Sequence, residues 1–96
     1  MNSVLMQTEF EIARDAERLC NEYNIYINSF KKMDLTKVVR RDIVCIEANM
    51  RALVKGKLTE DEIKMLKNDI YKARKKLQLY ESYFSMRALL NNIIKE

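Results

Sequence analysis

The sequence predicts an all-α protein: a three-helix up-down-up bundle with a long C-terminal helix, oligomeric through coiled-coil-like packing. Three observations carry this expectation. The 96 residues include one Gly and no Pro, too few turn formers for a sheet protein. Apolar residues recur in alternating steps of three and four through three segments, the period of an amphipathic helix rather than of a strand. The junctions between the segments carry helix punctuation, namely Asp34, Gly56 and the pair Thr59 and Glu62. The length suits one modest core, so residues 1–96 read as a single helical domain with helices at about 3–32, 35–55 and 60–95.

The first helix starts at Ser3 or at Thr8, where Thr8 and Glu11 offer a capping box. Its seam is Ile12, Ala16, Leu19, Tyr23, Tyr26, Phe30 and Met33. A flanking row of Met6, Phe10, Ala13, Cys20 and Ile27 widens the apolar face. Asp34 is expected to cap the second helix, whose stripe is Leu35, Val39, Ile43, Ile46, Met50 and Leu53. Val38, Val44, Cys45, Ala48 and Ala52 lie beside that stripe, so this helix is expected to be the most buried. A strand over 38–46 is the rival reading, because β-branched residues cluster there, but the three-and-four spacing continues to Leu53. Gly56 supplies a left-handed end, and Thr59 with Glu62 opens the third helix.

The third helix carries Ile63, Leu66, Ile70, Ala73, Leu77, Tyr80 and Phe84 on one heptad seam. About 36 residues of helix span roughly 54 Å, against roughly 30 Å for the second helix. Beyond about Glu81 the third helix therefore outruns its neighbour. The seam there would continue to the polar Arg87 and Asn91, whereas a neighbouring row reads Leu79, Tyr83, Met86, Leu90 and Ile93. Such a row left bare exceeds what a soluble monomer usually exposes. The expected interface is Tyr83, Phe84, Met86, Leu89, Leu90, Ile93 and Ile94, with Leu5, Met6 and Phe10 overhanging the opposite end. The rival arrangement is a C-terminus folded back on the bundle.

Charge is unevenly spread. The net +4 divides into −3 over residues 1–30, +5 over 31–57 and +2 over 58–96. Lys31, Lys32, Lys37, Arg40, Arg41, Arg74, Lys75 and Lys76 gather toward one end and form a candidate contact set for nucleic acid or an acidic partner. Most Tyr and Phe fall on core rows, which leaves few aromatics to stack on bases. No stretch is apolar enough to span a membrane, and nothing reads as a signal peptide.

Catalytic chemistry finds little to work with. Histidine is absent, and one Gly cannot build a phosphate loop. Cys20 and Cys45, both on apolar rows, read as buried core thiols in a reducing, cytoplasmic setting. No catalytic residue, cofactor or metal is expected. The expectation is a non-enzymatic helical adaptor, inhibitor or chaperone-like binder that acts by occluding a protein surface. Its partners are a second copy of itself, as a homodimer or higher oligomer, and a protein. A Lys-, Asn- and Ile-rich composition suits an AT-rich bacterial or phage genome. Nucleic-acid binding through the basic face is the alternative.

Overall fold

The computed structural model describes the backbone of residues 2–95 and the side chains of residues 9–93. The chain is all-α. Its helices are α1 (Asn2–Ile25), α2 (Ile27–Lys32), α3 (Thr36–Val54) and α4 (Glu60–Lys95), and no strand occurs among the described residues. The molecule is elongated, with extents of 61 × 23 × 17 Å.

One core unites the helices. Ile12, Ala16, Leu19, Cys20 and Tyr23 enter from α1, and Phe30 from α2. Val39, Ile43, Ile46 and Leu53 enter from α3, and Leu66, Ile70, Ala73 and Leu77 from α4. Each set follows the step of three and four that places side chains on one helix face. No buried side-chain nitrogen or oxygen is left without a partner among the described residues.

The expected first helix is two. Tyr26 has φ −98° and ψ 13°, and its N–H donates to the Tyr23 carbonyl three residues back at 3.1 Å. That tightened turn interrupts the i→i−4 ladder before α2 resumes. The apolar seam runs through the break unchanged, which is why the residue pattern does not announce it. The helix also starts at Asn2 rather than at Thr8.

Asp34 does not cap α3. It adopts φ +58°, while Leu35 occupies the N-cap position without a side-chain cap. Asp34 instead ends α2: its N–H donates to the Lys31 carbonyl at 3.2 Å, and the Leu35 N–H donates to the Phe30 carbonyl at 2.9 Å. This is a Schellman motif with Asp in the left-handed position usually given to Gly. A short polar side chain tolerates that conformation better than an apolar one. The end of α3 repeats the motif with Gly56 at φ +69°: its N–H meets the Leu53 carbonyl at 3.0 Å, and the Lys57 N–H meets the Ala52 carbonyl at 2.9 Å. At the start of α4, the Thr59 N–H donates to Glu62 Oε1 at 3.1 Å and the Glu62 N–H to Thr59 Oγ1 at 3.2 Å. That reciprocal pair is the capping box read from the sequence.

α3 is less buried than its composition suggests. Val38 and Val44 are more than half exposed, and Cys45 and Ala48 are exposed. Neighbouring helices pack on one side of α3, so only its main stripe is covered. Cys45 is therefore a surface thiol, while Cys20 alone is a core thiol.

Candidate protein interface on the terminal helix

α4 is 36 residues long against 19 for α3. Its inward seam packs on the core from Ile63 to Phe84, and every described residue from Ser85 to Ile93 is exposed. The level at which neighbours stop is marked by an aromatic cluster. The Phe30 ring meets Tyr80 edge-on at 5.2 Å and Phe84 at 5.4 Å. Tyr26 stacks on Phe84 at 5.8 Å, and Tyr23 stacks on Phe30 at 5.9 Å. Offset and edge-to-face contacts of this kind add to simple burial.

This cluster corrects the candidate set. Phe84 closes the end of its own bundle and is not part of a bare overhang. The bundle reaches one turn further along α4 than expected, because the Tyr26 turn and α2 carry aromatic side chains up to it. The cluster was in principle readable, since Tyr23, Tyr26 and Phe30 match Tyr80 and Phe84 in helical spacing.

The remaining overhang residues do form one face. Leu79, Tyr83, Met86, Leu90 and Ile93 advance by four, three, four and three, the spacing of a coiled-coil seam. They lie about 120–140° around α4 from its core seam, counting 100° per residue. All are exposed, from 49% at Tyr83 to 71% at Leu79, and Leu89 beside them is 63% exposed. Charge is depleted here: residues 79–93 carry only Glu81 and Arg87, whereas residues 60–78 carry ten charged side chains. Interface centres lose charge in this way while keeping aromatics and Met. The Ile94 side chain lies outside the described residues.

The second candidate group is placed at the other end of the molecule. Phe10 is 65% exposed, lies beside Leu53 and Val54, and has the Arg14 guanidinium 5.8 Å above its ring. The side chains of Leu5 and Met6 lie outside the described residues. Phe10 is thus not brought together with the α4 row.

The basic candidates divide. Arg74 bonds Glu22 at 3.1 Å and Lys76 meets Asp42 at 3.4 Å, so two of the eight are engaged across helices. Lys75 lies 5.5 Å from the centre of the Tyr71 ring on its own helix. Lys31, Lys32, Lys37, Arg40 and Arg41 are exposed. Among the thiols, burial chiefly, then the nearby Glu47 carboxylate, pushes Cys20 up to about 11. A thiol so disfavoured as thiolate is a poor nucleophile.

No helix of the described residues is long and apolar enough to cross a membrane. Comparison with protein-family models, with curated proteins and with solved structures finds no match for this chain.

Proposed function

We propose that this chain is a non-enzymatic protein-interaction module: an up-down-up helical bundle that self-associates through the C-terminal part of α4 and acts by occluding protein surfaces. The carrying observation is the exposed heptad row from Leu79 to Ile93 on the segment that outruns the bundle. The occupant is a second copy of the chain. By their fractional exposures, the five row residues and Leu89 present on the order of 800 Å², the amount each partner contributes to a standard stable interface.

The total surface points the same way. The chain exposes 7639 Å², whereas a compact monomer of 11.5 kDa exposes about 5,800 Å². Pairing the rows would remove less than half of that excess, on the order of 800 Å² per chain. Two unpaired cysteines fit a reducing, cytoplasmic setting. As a binder, the module would present the bundle's sides while α4 holds the copies together.

The test is the solution mass by light scattering after size exclusion. The full chain is expected at twice 11.5 kDa or a higher multiple. Leu90→Glu, or a chain ending at Ser85, is expected to remain helical and run as a monomer. Truncation at Ser85 keeps Phe84 and so leaves the aromatic closure intact. A monomeric full chain sinks the reading.

A further inference from the structure

The outward side of α3 carries a feature that the α4 row does not explain. Lys37, Arg41, Val44, Ala48, Arg51 and Lys55 follow one another in steps of four, three, four, three and four, and all six are exposed. They form a straight stripe about 27 Å long, at 1.5 Å per residue. Arg40 flanks it and is exposed as well. Of the two carboxylates of α3, Asp42 lies on the far side of the helix from the stripe, and Glu47 lies one turn before Arg51 at the stripe's edge. Asp42 is held toward α4 by Lys76 at 3.4 Å, and Glu47 faces Cys20 of α1. Among the described residues the ion pairs are Arg74–Glu22 and Lys76–Asp42, so the four stripe cations and Arg40, five in all, have no carboxylate at salt-bridge distance.

We propose that this stripe binds the phosphate backbone of duplex nucleic acid without reading its sequence. A duplex presents one negative charge per roughly 1.7 Å of its axis, so the two cations toward each end of the stripe, with Arg40 beside Arg41, all lie within reach of phosphates. Three of the five are Arg, whose planar fork matches phosphate oxygens. No aromatic side chain lies on the stripe, which removes the stacking platform that single strands need. Only Val44 and Ala48 lie between the cations, so the stripe offers no large apolar anchor for a membrane surface or a protein hot spot. The stripe is on a different helix from the self-association row and does not depend on it, although a dimer carries two stripes.

The experiment is fluorescence anisotropy of the full chain with a labelled DNA duplex of about 20 base pairs and mixed sequence, across a salt series. Binding is expected to weaken with salt, with log–log slope of about −3 to −5 for three to five phosphate contacts. Arg41→Glu with Arg51→Glu is expected to lose about tenfold or more at low salt. Lys64→Glu with Lys67→Glu makes the same change in net charge on α4 and is expected to lose less than about threefold. Lys37→Gln with Lys55→Gln, at the stripe's ends, is expected to give a smaller loss of the same sign, which keeps the test usable if the double reversal disturbs α3. Equal losses from the α3 and α4 reversals would mean diffuse attraction and overturn the proposal. So would absence of binding at low salt. Stronger binding to a single strand of equal length, to polyglutamate or to anionic vesicles would overturn it too.

Discussion

The Tyr23 hydroxyl donates a 2.6 Å hydrogen bond to the Ala73 carbonyl oxygen, joining α1 to the middle of α4 inside the core. Tyr23 is 3% exposed, so the hydroxyl has no water to fall back on. A mid-helix carbonyl already accepts from the N–H four residues on, and the phenol takes its second lone pair. Tyr23→Phe therefore removes one donor without orphaning an acceptor. The expected cost is about 1 kcal/mol, which lowers the melting temperature by roughly 4–8 °C for a domain of this size. Thermal unfolding followed by circular dichroism reads it. A drop several times larger would mean that the carbonyl depends on Tyr23.

Cys20 and Cys45 should behave as opposites. Cys20 is 4% exposed and Cys45 lies on the surface, so a thiol reagent should label Cys45 promptly in the native protein and Cys20 only as the fold opens. The same burial sets an alkaline limit. Cys20 rises from 9.0 to about 11 on folding, by burial first and then by Glu47. An acid whose folded pKa is raised keeps its contribution below the unfolded value and loses it as pH climbs through the folded one. Tyr23 is raised in the same direction, chiefly by burial, from 10.0. Stability attributable to these groups should be constant below pH 9 and fall above it, with Cys20 accounting for about 2 kcal/mol by pH 11. Cys20→Ala should flatten the first part of that fall, whatever it costs in packing at neutral pH. An unchanged alkaline slope would refute the assignment.

The inward stripes of all three long helices were legible because burial follows the three-and-four period, and Ile12, Leu19, Val39, Ile46, Leu66 and Leu77 obey it. Gly56 and the Thr59–Glu62 box were legible because each is a local device that acts within a few residues. Asp34 is ambiguous for the same reason. Asp suits both an N-cap and a left-handed C′ position, and only the chain path decides between them. The side row of α3 could not be read from the pattern either. Val38 and Val44 look like core on composition, but whether a second face is covered depends on how many neighbours pack there. Phe84 lies on the core seam, yet whether it joins the bundle or the overhang turns on the Tyr26 break and on where α2 ends.

The two left-handed helix ends offer a paired stability test. Asp34 at φ +58° bears a Cβ in a conformation that favours Gly, so Asp34→Gly should stabilise by a few tenths to about 1 kcal/mol. Gly56 is the converse. A Cβ there would touch nothing within 4 Å, so Gly56→Ala isolates the backbone cost and should destabilise by about 1–2 kcal/mol. Chemical denaturation measures both, with unchanged m-values expected. If Asp34→Gly destabilises instead, the Asp side chain contributes more at that turn than its backbone strain costs.

Phe84 and Leu90 lie six residues apart on α4 and should fail in different ways. Phe84 packs on Tyr26, Phe30 and Tyr80 of its own chain, whereas Leu90 is 53% exposed and lies on the bare row. Phe84→Ala should cost the bundle about 2 kcal/mol, below the 3–5 of a fully buried ring because Phe84 is half-buried. Assembly should change little once the variant is folded. Leu90→Ala should leave the fold intact but weaken self-association by about tenfold or more, because an interface centre is carried by few side chains. Concentration-dependent melting separates the two outcomes: association makes the melting temperature rise with protein concentration. That dependence should persist in Phe84→Ala at a lower temperature and shrink in Leu90→Ala. The reverse pattern would place the contact between copies on the aromatic cluster and return the row to solvent.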